Sequence, residues 1–257
     1  PPLLSQRLCQ HRDGGLPARR IEQRVAPGGS TNMEAFARYT TQDQRWHVQG
    51  GQFYLPYGWR LEDDGAFVRQ VTGINFATPD RGVQVGYESA MVSAQLAVSN
   101  GTAGGPEPDE GKQVSLRAEH IQNAWRIGAG FNLNHTDAGD RQMQGVFAGL
   151  RTGPIAWLAE ADYVTDETLG AGERKQWVGL IEANWLITQG QNLKLTAEVF
   201  EPDTDVDEDE QNRYSLLWEY FPFQFMQVRV GARVYDGIPQ NDLQNRKLYF
   251  AQLHGFF

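Results

Sequence analysis

The chain has 257 residues, of which 40% are hydrophobic and 21% charged, and its formal net charge is −9. Nucleic acid requires a basic face on its partner, so this acidic balance argues against a nucleic-acid partner. No apolar run approaches the ~18 residues that a membrane-spanning helix needs. The single cysteine, Cys9, excludes an internal disulfide and a site with several cysteine ligands.

Residues 1–32 differ in composition from the rest of the chain. They contain five of the arginines and four of the twelve prolines, but no aromatic residue and no apolar period. We expect an irregular N-terminal segment here, and sequence that is not native to the protein is an open alternative. Residues 33–257 are expected to form one structural domain.

From Met33 onward the apolar period is two, which predicts strands rather than helices. In NLKLTAEVF, for example, Leu193 and Leu195 share one face, and Lys194 and Glu198 share the other. Thirteen strands are predicted, at residues 33–41, 45–57, 81–88, 90–100, 113–121, 124–134, 143–152, 154–165, 175–188, 191–201, 212–221, 225–236 and 246–257.

The connections between these strands alternate in length. Short turns such as TG and PFQ alternate with long polar segments such as HTDAGDRQ and PDTDVDEDEQN. Membrane barrels have this rhythm, because tight turns face the periplasm and long loops face outward. Aromatic residues near the strand ends predict two interfacial girdles, formed by Trp46, Trp125, Trp157, Trp177, Trp185, Tyr214, Tyr220 and Phe257.

Each strand has an apolar face and a charged face, and a soluble barrel would need its apolar face inside. The final stretch, RKLYFAQLHGFF, ends on an aromatic residue that would be exposed to water in a soluble protein. It resembles the C-terminal assembly signature of outer-membrane proteins, which ends on Phe. The sequence therefore predicts an all-β fold, a transmembrane antiparallel up-and-down β-barrel with about 13 visible strands of a total of 14–16.

The stretch VQGGQFYLPYGW contains a short motif near the second predicted strand. It resembles the G-Q-F-x-x-P-[FY]-G element of the phosphate-selective-porin-like family of Gram-negative outer-membrane porins, with matches at Gly51, Gln52, Phe53, Pro56, Tyr57 and Gly58. The resemblance implies a sixteen-stranded pore, often trimeric, with several strands ahead of the motif. The chain is therefore expected to be a fragment.

The charged face of the predicted strands would line the lumen. The residues assigned to it are Glu88, Arg117, Glu119, Arg126, Glu160, Asp162, Glu182, Lys194, Glu198, Glu219, Arg229 and Arg233. Five positive charges against seven negative charges predict no anion preference and, if anything, a mild cation preference. For Arg117, Glu119 and Arg126, a structural ion pair across neighbouring strands is the competing interpretation.

Residues 59–80 form the longest connection, and in porins such a loop folds inward to narrow the channel. Glu62, Asp63, Asp64 and Arg69 are the candidate constriction residues. A surface loop is the alternative, but residues 67–76 are too apolar for full exposure.

The acidic run from Asp203 to Glu210 has the carboxylate spacing of a calcium-binding loop in part. It lacks glycine at the sixth position, and Tyr214 stands where the bidentate Glu should be. A solvated acidic loop is favoured, with loose divalent bridging to lipopolysaccharide as the alternative. The sequence has no G-x-S-x-G element and no feature that pairs a serine with a histidine, so no enzymatic activity is predicted. No cofactor and no metal site are predicted either.

The leading functional interpretation is an outer-membrane porin of a Gram-negative bacterium, allowing passive diffusion of small hydrophilic solutes or ions. Its expected partners are those solutes, outer-membrane lipid, lipopolysaccharide and further copies in a homotrimer. The first alternative is a β-barrel scaffold that holds a partner protein, such as a multihaem cytochrome or a secretion component. The second alternative is a soluble β-rich binding protein.

Overall fold

The computed structural model describes most of the chain. The described residues are 18–26, 29–61, 63, 65–74, 78–107, 109–170 and 172–256.

The described residues form fourteen strands and two short helices. The strands are β1 (Ala18–Ala26), β2 (Gly29–Thr40), β3 (Trp46–Phe53), β4 (Asp80–Glu88), β5 (Val92–Ser99), β6 (Gln113–Ile121), β7 (Trp125–Thr136), β8 (Gly139–Thr152), β9 (Ile155–Asp166), β10 (Arg174–Thr188), β11 (Gln191–Glu201), β12 (Gln211–Phe223), β13 (Met226–Asp236) and β14 (Lys247–Gly255). The helices are α1 (Phe67–Thr72) and a 3-10 turn (Asp242–Gln244). Neither helix could cross a membrane, and no other helix in the described part of the chain could do so.

All fourteen strands belong to one sheet in which each strand pairs with the next along the chain, antiparallel throughout. This is the predicted up-and-down order. In such a sheet, residues two apart share a face. The two faces of the sequence pattern therefore become the two faces of the wall.

Strand β1 corrects the sequence prediction. Residues 1–32 were expected to be irregular, but Ala18 pairs with Arg38 and Ala26 pairs with Gly29. The expectation is therefore wrong for β1 and for the start of β2, and the strand count is fourteen rather than thirteen. The stretch ARRIEQRVA has no aromatic residue that would mark it as a strand from the sequence. Its strand conformation depends instead on its pairing with β2. Residues 1–17 lie outside the described residues.

The boundary between β7 and β8 is a second correction. HTDAGDRQ was predicted to be a long loop, but the ladder continues through Asn134 and Arg141 to Thr136 and Gly139, which leaves a two-residue turn. Polar residues extend these strands beyond their apolar part. A search for alternating apolar residues therefore stops too early. Similarly, β3 ends at Phe53 rather than at residue 57.

The exposed side of the wall is apolar, as β10 shows. Val178, Leu180 and Glu182 are 0%, 6% and 8% exposed, whereas Trp177 and Ile181 are 39% and 51% exposed. Other strands expose their apolar residues on the same side, among them Val83, Val98, Leu116, Ile127, Val146, Leu195, Leu216 and Val230. This arrangement confirms the predicted inversion and leaves the polar side chains on the inside.

The predicted girdle residues lie near the two ends of the strands. Exposed aromatic side chains at the short-turn end are Trp46, Trp125, Trp157 and Trp185, while Trp177 and Tyr214 are exposed at the opposite end. Tyr220 is half-buried, and Phe257 lies outside the described residues. Two aromatic levels separated by apolar side chains are typical of a wall that spans a bilayer.

Candidate functional site

The inner face of the wall carries the charged residues that the sequence assigned to the lumen. All twelve project from the side opposite the exposed apolar side chains. Glu119 contacts Arg117 (Oε1 to Nη1, 2.9 Å) and Arg126, so the predicted cross-strand ion pair is present. Whether these twelve side chains meet a solute stays a prediction.

A stretch between β3 and β4 lies inside the curved sheet, and we call residues 54–73 the inward-folded segment. Its first part contacts the inner face of β9: Tyr57 Oη donates to Asp162 Oδ1 (2.9 Å), and the Trp59 N–H donates to Glu160 Oε2 (2.9 Å). Burial, and then the neighbouring Asp162, raise the pKa of Tyr57. Its phenol therefore stays protonated and remains a donor.

Glycine is required at position 58. Gly58 has φ +46°, and a Cβ there would overlap the Glu160 carboxylate. The absence of a side chain lets the backbone approach β9 closely enough for the neighbouring Trp59 N–H to bond Glu160. The last glycine of the LPYG element therefore has a structural role in seating the segment on the wall.

The middle of the segment crosses to β11, β12 and β13. The Phe67 N–H donates to Glu198 Oε1 (2.7 Å), and Arg213 donates to the Gly65 carbonyl oxygen. Asp63 accepts from Arg213 Nη2 (3.3 Å) and from Arg233. Because one short segment contacts the inner faces of strands from β9 to β13, the sheet must curve around it.

The far end of the segment is also anchored to the wall. Arg141 Nη1 on β8 donates to the Thr72 carbonyl oxygen (3.0 Å). Apolar side chains complete the attachment: Val68 and Leu61 pack with Val178 and Leu180 of β10. Burial of these side chains stabilises the position of the segment against the wall.

These contacts confirm that the longest connection folds inward. Of the four candidate constriction residues, Asp63 is held between Arg213 and Arg233. Arg69 is buried and donates from Nη1 to the Trp59 carbonyl oxygen (3.0 Å), so it braces the segment. Glu62 and Asp64 lie outside the described residues.

The described residues of the curved sheet and the segment enclose two cavities. The first, about 390 Å³, is lined by the segment and by strands β1 to β7, and we call it the first cavity. The second, about 460 Å³, is lined by the segment and by strands β9 to β14, and we call it the second cavity. Arg60 is the one residue that lines both cavities among the described residues.

Sequence reasoning missed several residues of this site. Arg60, Arg141 and Arg213 hold or line the interior but were not selected. The period-two pattern contained the signal for Arg213, since it lies on the same face as Glu219. Nothing in the sequence pattern indicates which side chain of the segment faces the cavities.

Comparison with known proteins gives matches in structure alone: no family model and no curated protein matches the chain. Among the solved structures, OmpT without loop L8, an outer membrane protein of Vibrio cholerae, is 11% identical with a TM-score of 0.72, over 95% of this chain and 87% of that one. An anion-selective porin from Comamonas acidovorans is 9% identical with a TM-score of 0.66, over 94% and 81%. Another porin is 12% identical with a TM-score of 0.63, over 93% and 88%.

At sequence identities this low, the matches show that the fold is shared and do not show a shared function. The fold is that of the outer-membrane β-barrels, in agreement with the apolar outer face and the polar interior. By its fold, the protein is therefore a transmembrane β-barrel.

Proposed function

We propose that the protein is a porin, through which small hydrophilic solutes and ions diffuse passively across the outer membrane. The observation that carries the proposal is the pair of polar-lined cavities inside a wall whose outer face is apolar. A polar path through an apolar layer lowers the barrier to hydrophilic solutes. The inward-folded segment would set the upper size of those solutes. No chemical conversion is part of the proposal.

We also propose that the protein is related to the phosphate-selective-porin-like family. Gly58 supports this relation, because the glycine of the motif allows the backbone to approach Glu160 closely and so positions the segment on the wall. A homotrimer is also proposed, since one of the similar OmpT structures is described as a trimer form.

The scaffold alternative has weaker support. The inward-folded segment occupies much of the interior, and the remaining cavities of about 460 and 390 Å³ have the size of small-molecule sites. A folded partner protein would require the segment to leave. The soluble alternative conflicts with the apolar outer face.

Planar-bilayer recording tests the proposal. Purified protein added to a lipid bilayer is expected to produce stepwise conductance increases with a linear current–voltage relation. Heat-modifiable gel migration is the control that shows the added protein is folded. Folded protein that inserts without conducting would contradict the porin proposal, and conduction that begins only after a tightly bound protein is removed would favour the scaffold.

A further inference from the structure

The two cavities lie against opposite arcs of the wall. Strands β1 to β7 line the first cavity and strands β9 to β14 line the second, so no strand lines both among the described residues. Each strand pairs with the next along one curved sheet, and two such arcs therefore face each other across the interior. The cavities lie side by side rather than one above the other along the strands.

Each cavity also follows the strands over much of their length. In the second cavity, Asn184 lies near the short-turn end of β10, whereas Arg233 lies near the long-loop end of β13. In the first cavity, Arg126 lies at the short-turn end of β7, and the lining reaches Tyr54, directly after the long-loop end of β3. Both cavities are therefore elongated in the direction that a solute would take through the wall.

The inward-folded segment stands between the two cavities. Its residues 54–60 line the first cavity, and the residues of the segment that line the second are Arg60, Leu61, Asp63 and Ala66. The segment is held from both arcs: the Gly58 carbonyl oxygen accepts from Arg117 Nε on β6 (3.0 Å), and Asp63 accepts from Arg213 Nη2 on β12 (3.3 Å). The boundary between the cavities is thus formed by the segment itself, at Arg60.

The boundary is fixed on both sides of Arg60. Trp59 Nε1 donates to the Ala159 carbonyl oxygen of β9 (3.0 Å), and Leu61 is buried against side chains of β10. Arg60 Nη2 donates to the Tyr54 carbonyl oxygen (3.1 Å), and its Cζ lies 4.8 Å from the centroid of the Tyr54 ring. The Arg60 side chain is therefore folded back along the segment, and these contacts hold the divider in place.

We propose that the inward-folded segment divides the channel into two parallel paths, one through each cavity, within a single barrel. The inference rests on the proposed porin function. Two paths side by side carry currents that add, whereas two constrictions in series would each control the whole current. Because the two cavities have similar volumes, about 460 and 390 Å³, each path should carry a comparable share of the current.

Cysteine modification during single-channel recording tests the two paths. In a Cys9→Ser background, Gln95→Cys on β5 places one thiol in the first cavity, and Thr196→Cys on β11 places one in the second. A bulky, uncharged methanethiosulfonate reagent is expected to remove roughly half of the conductance of either single variant and nearly all of that of the double variant. Gln42→Cys, in the exposed β2–β3 turn, is the control and should show no loss. Mass spectrometry of the labelled proteins confirms each adduct.

The outcomes separate the inference from the function beneath it. Nearly complete block by one adduct alone would show a single path through both cavities. A confirmed adduct that removes no current would show that its cavity does not conduct. In an undivided lumen, the second adduct would remove more current than it removes alone. Each of these three results would overturn the two-path inference and leave the porin proposal intact, whereas folded wild-type protein that never conducts would overturn both.

Discussion

Replacing Ile181 with arginine is expected to lower the free energy of unfolding in a bilayer by about 2–4 kcal/mol. Ile181 lies near the middle of β10 and is 51% exposed on the apolar side of the wall. If that side faces lipid, the substitution places a charge near the bilayer midplane, where its solvation is poor. On a water-facing surface the same change would cost little.

Asn184→Arg is the matched control, because Asn184 lies on the same strand but lines the second cavity. Its charge would be solvated inside the channel, so a much smaller loss of stability is expected. Chemical unfolding of both variants in lipid vesicles provides the measurement. Equal losses at the two positions would contradict the assignment of the lipid-facing side.

Replacing residues 59–73 with a short Gly-Ser linker is expected to raise the single-channel conductance by roughly twofold or more. The segment fills the interior between strands β6 and β13 but takes no part in the ladder of strands. Its removal therefore widens the path without removing a strand pair. The Glu160 carboxylate, which accepts from the Trp59 N–H in the wild type, would then lose that cover.

The acidic loop at residues 203–208 supplies the control for this replacement. Its residues are mostly exposed and lie outside the two cavities, so the same linker there should leave the conductance nearly unchanged. Single-channel recording at constant salt compares the two proteins. A segment-deleted protein that folds and conducts no better than the wild type would contradict the idea that the segment restricts the channel.

The sequence predicts the faces of the wall well, because strand geometry converts a local pattern directly into orientation. Leu195 and Lys194 need only be neighbours in a strand to point in opposite directions. The same reasoning fails where the pattern is weak. It missed β1, whose conformation depends on pairing with β2, and it missed the polar ends of β7 and β8.

The interior is less predictable, since its contacts join residues that are distant in the chain. The Trp59 N–H donates to the Glu160 carboxylate, 101 residues away in the chain. Arg213 donates to the Gly65 carbonyl oxygen, 148 residues away. The pattern places Glu160 on the inner face but contains no information about what covers it. The predicted mild cation preference treated all twelve inner charges alike for this reason.

The most direct test of the inverted wall is a nitroxide scan along β10, with labels placed one at a time at residues 177–185 in a Cys9→Ser background. In lipid vesicles, the odd-numbered positions are expected to collide freely with oxygen, which concentrates in the bilayer, and to be shielded from a water-soluble nickel chelate. Positions 182 and 184, whose native side chains line the second cavity, should show the reverse. Odd-numbered positions that meet the nickel chelate, or a scan with no period of two, would contradict a lipid-facing apolar wall around a polar interior.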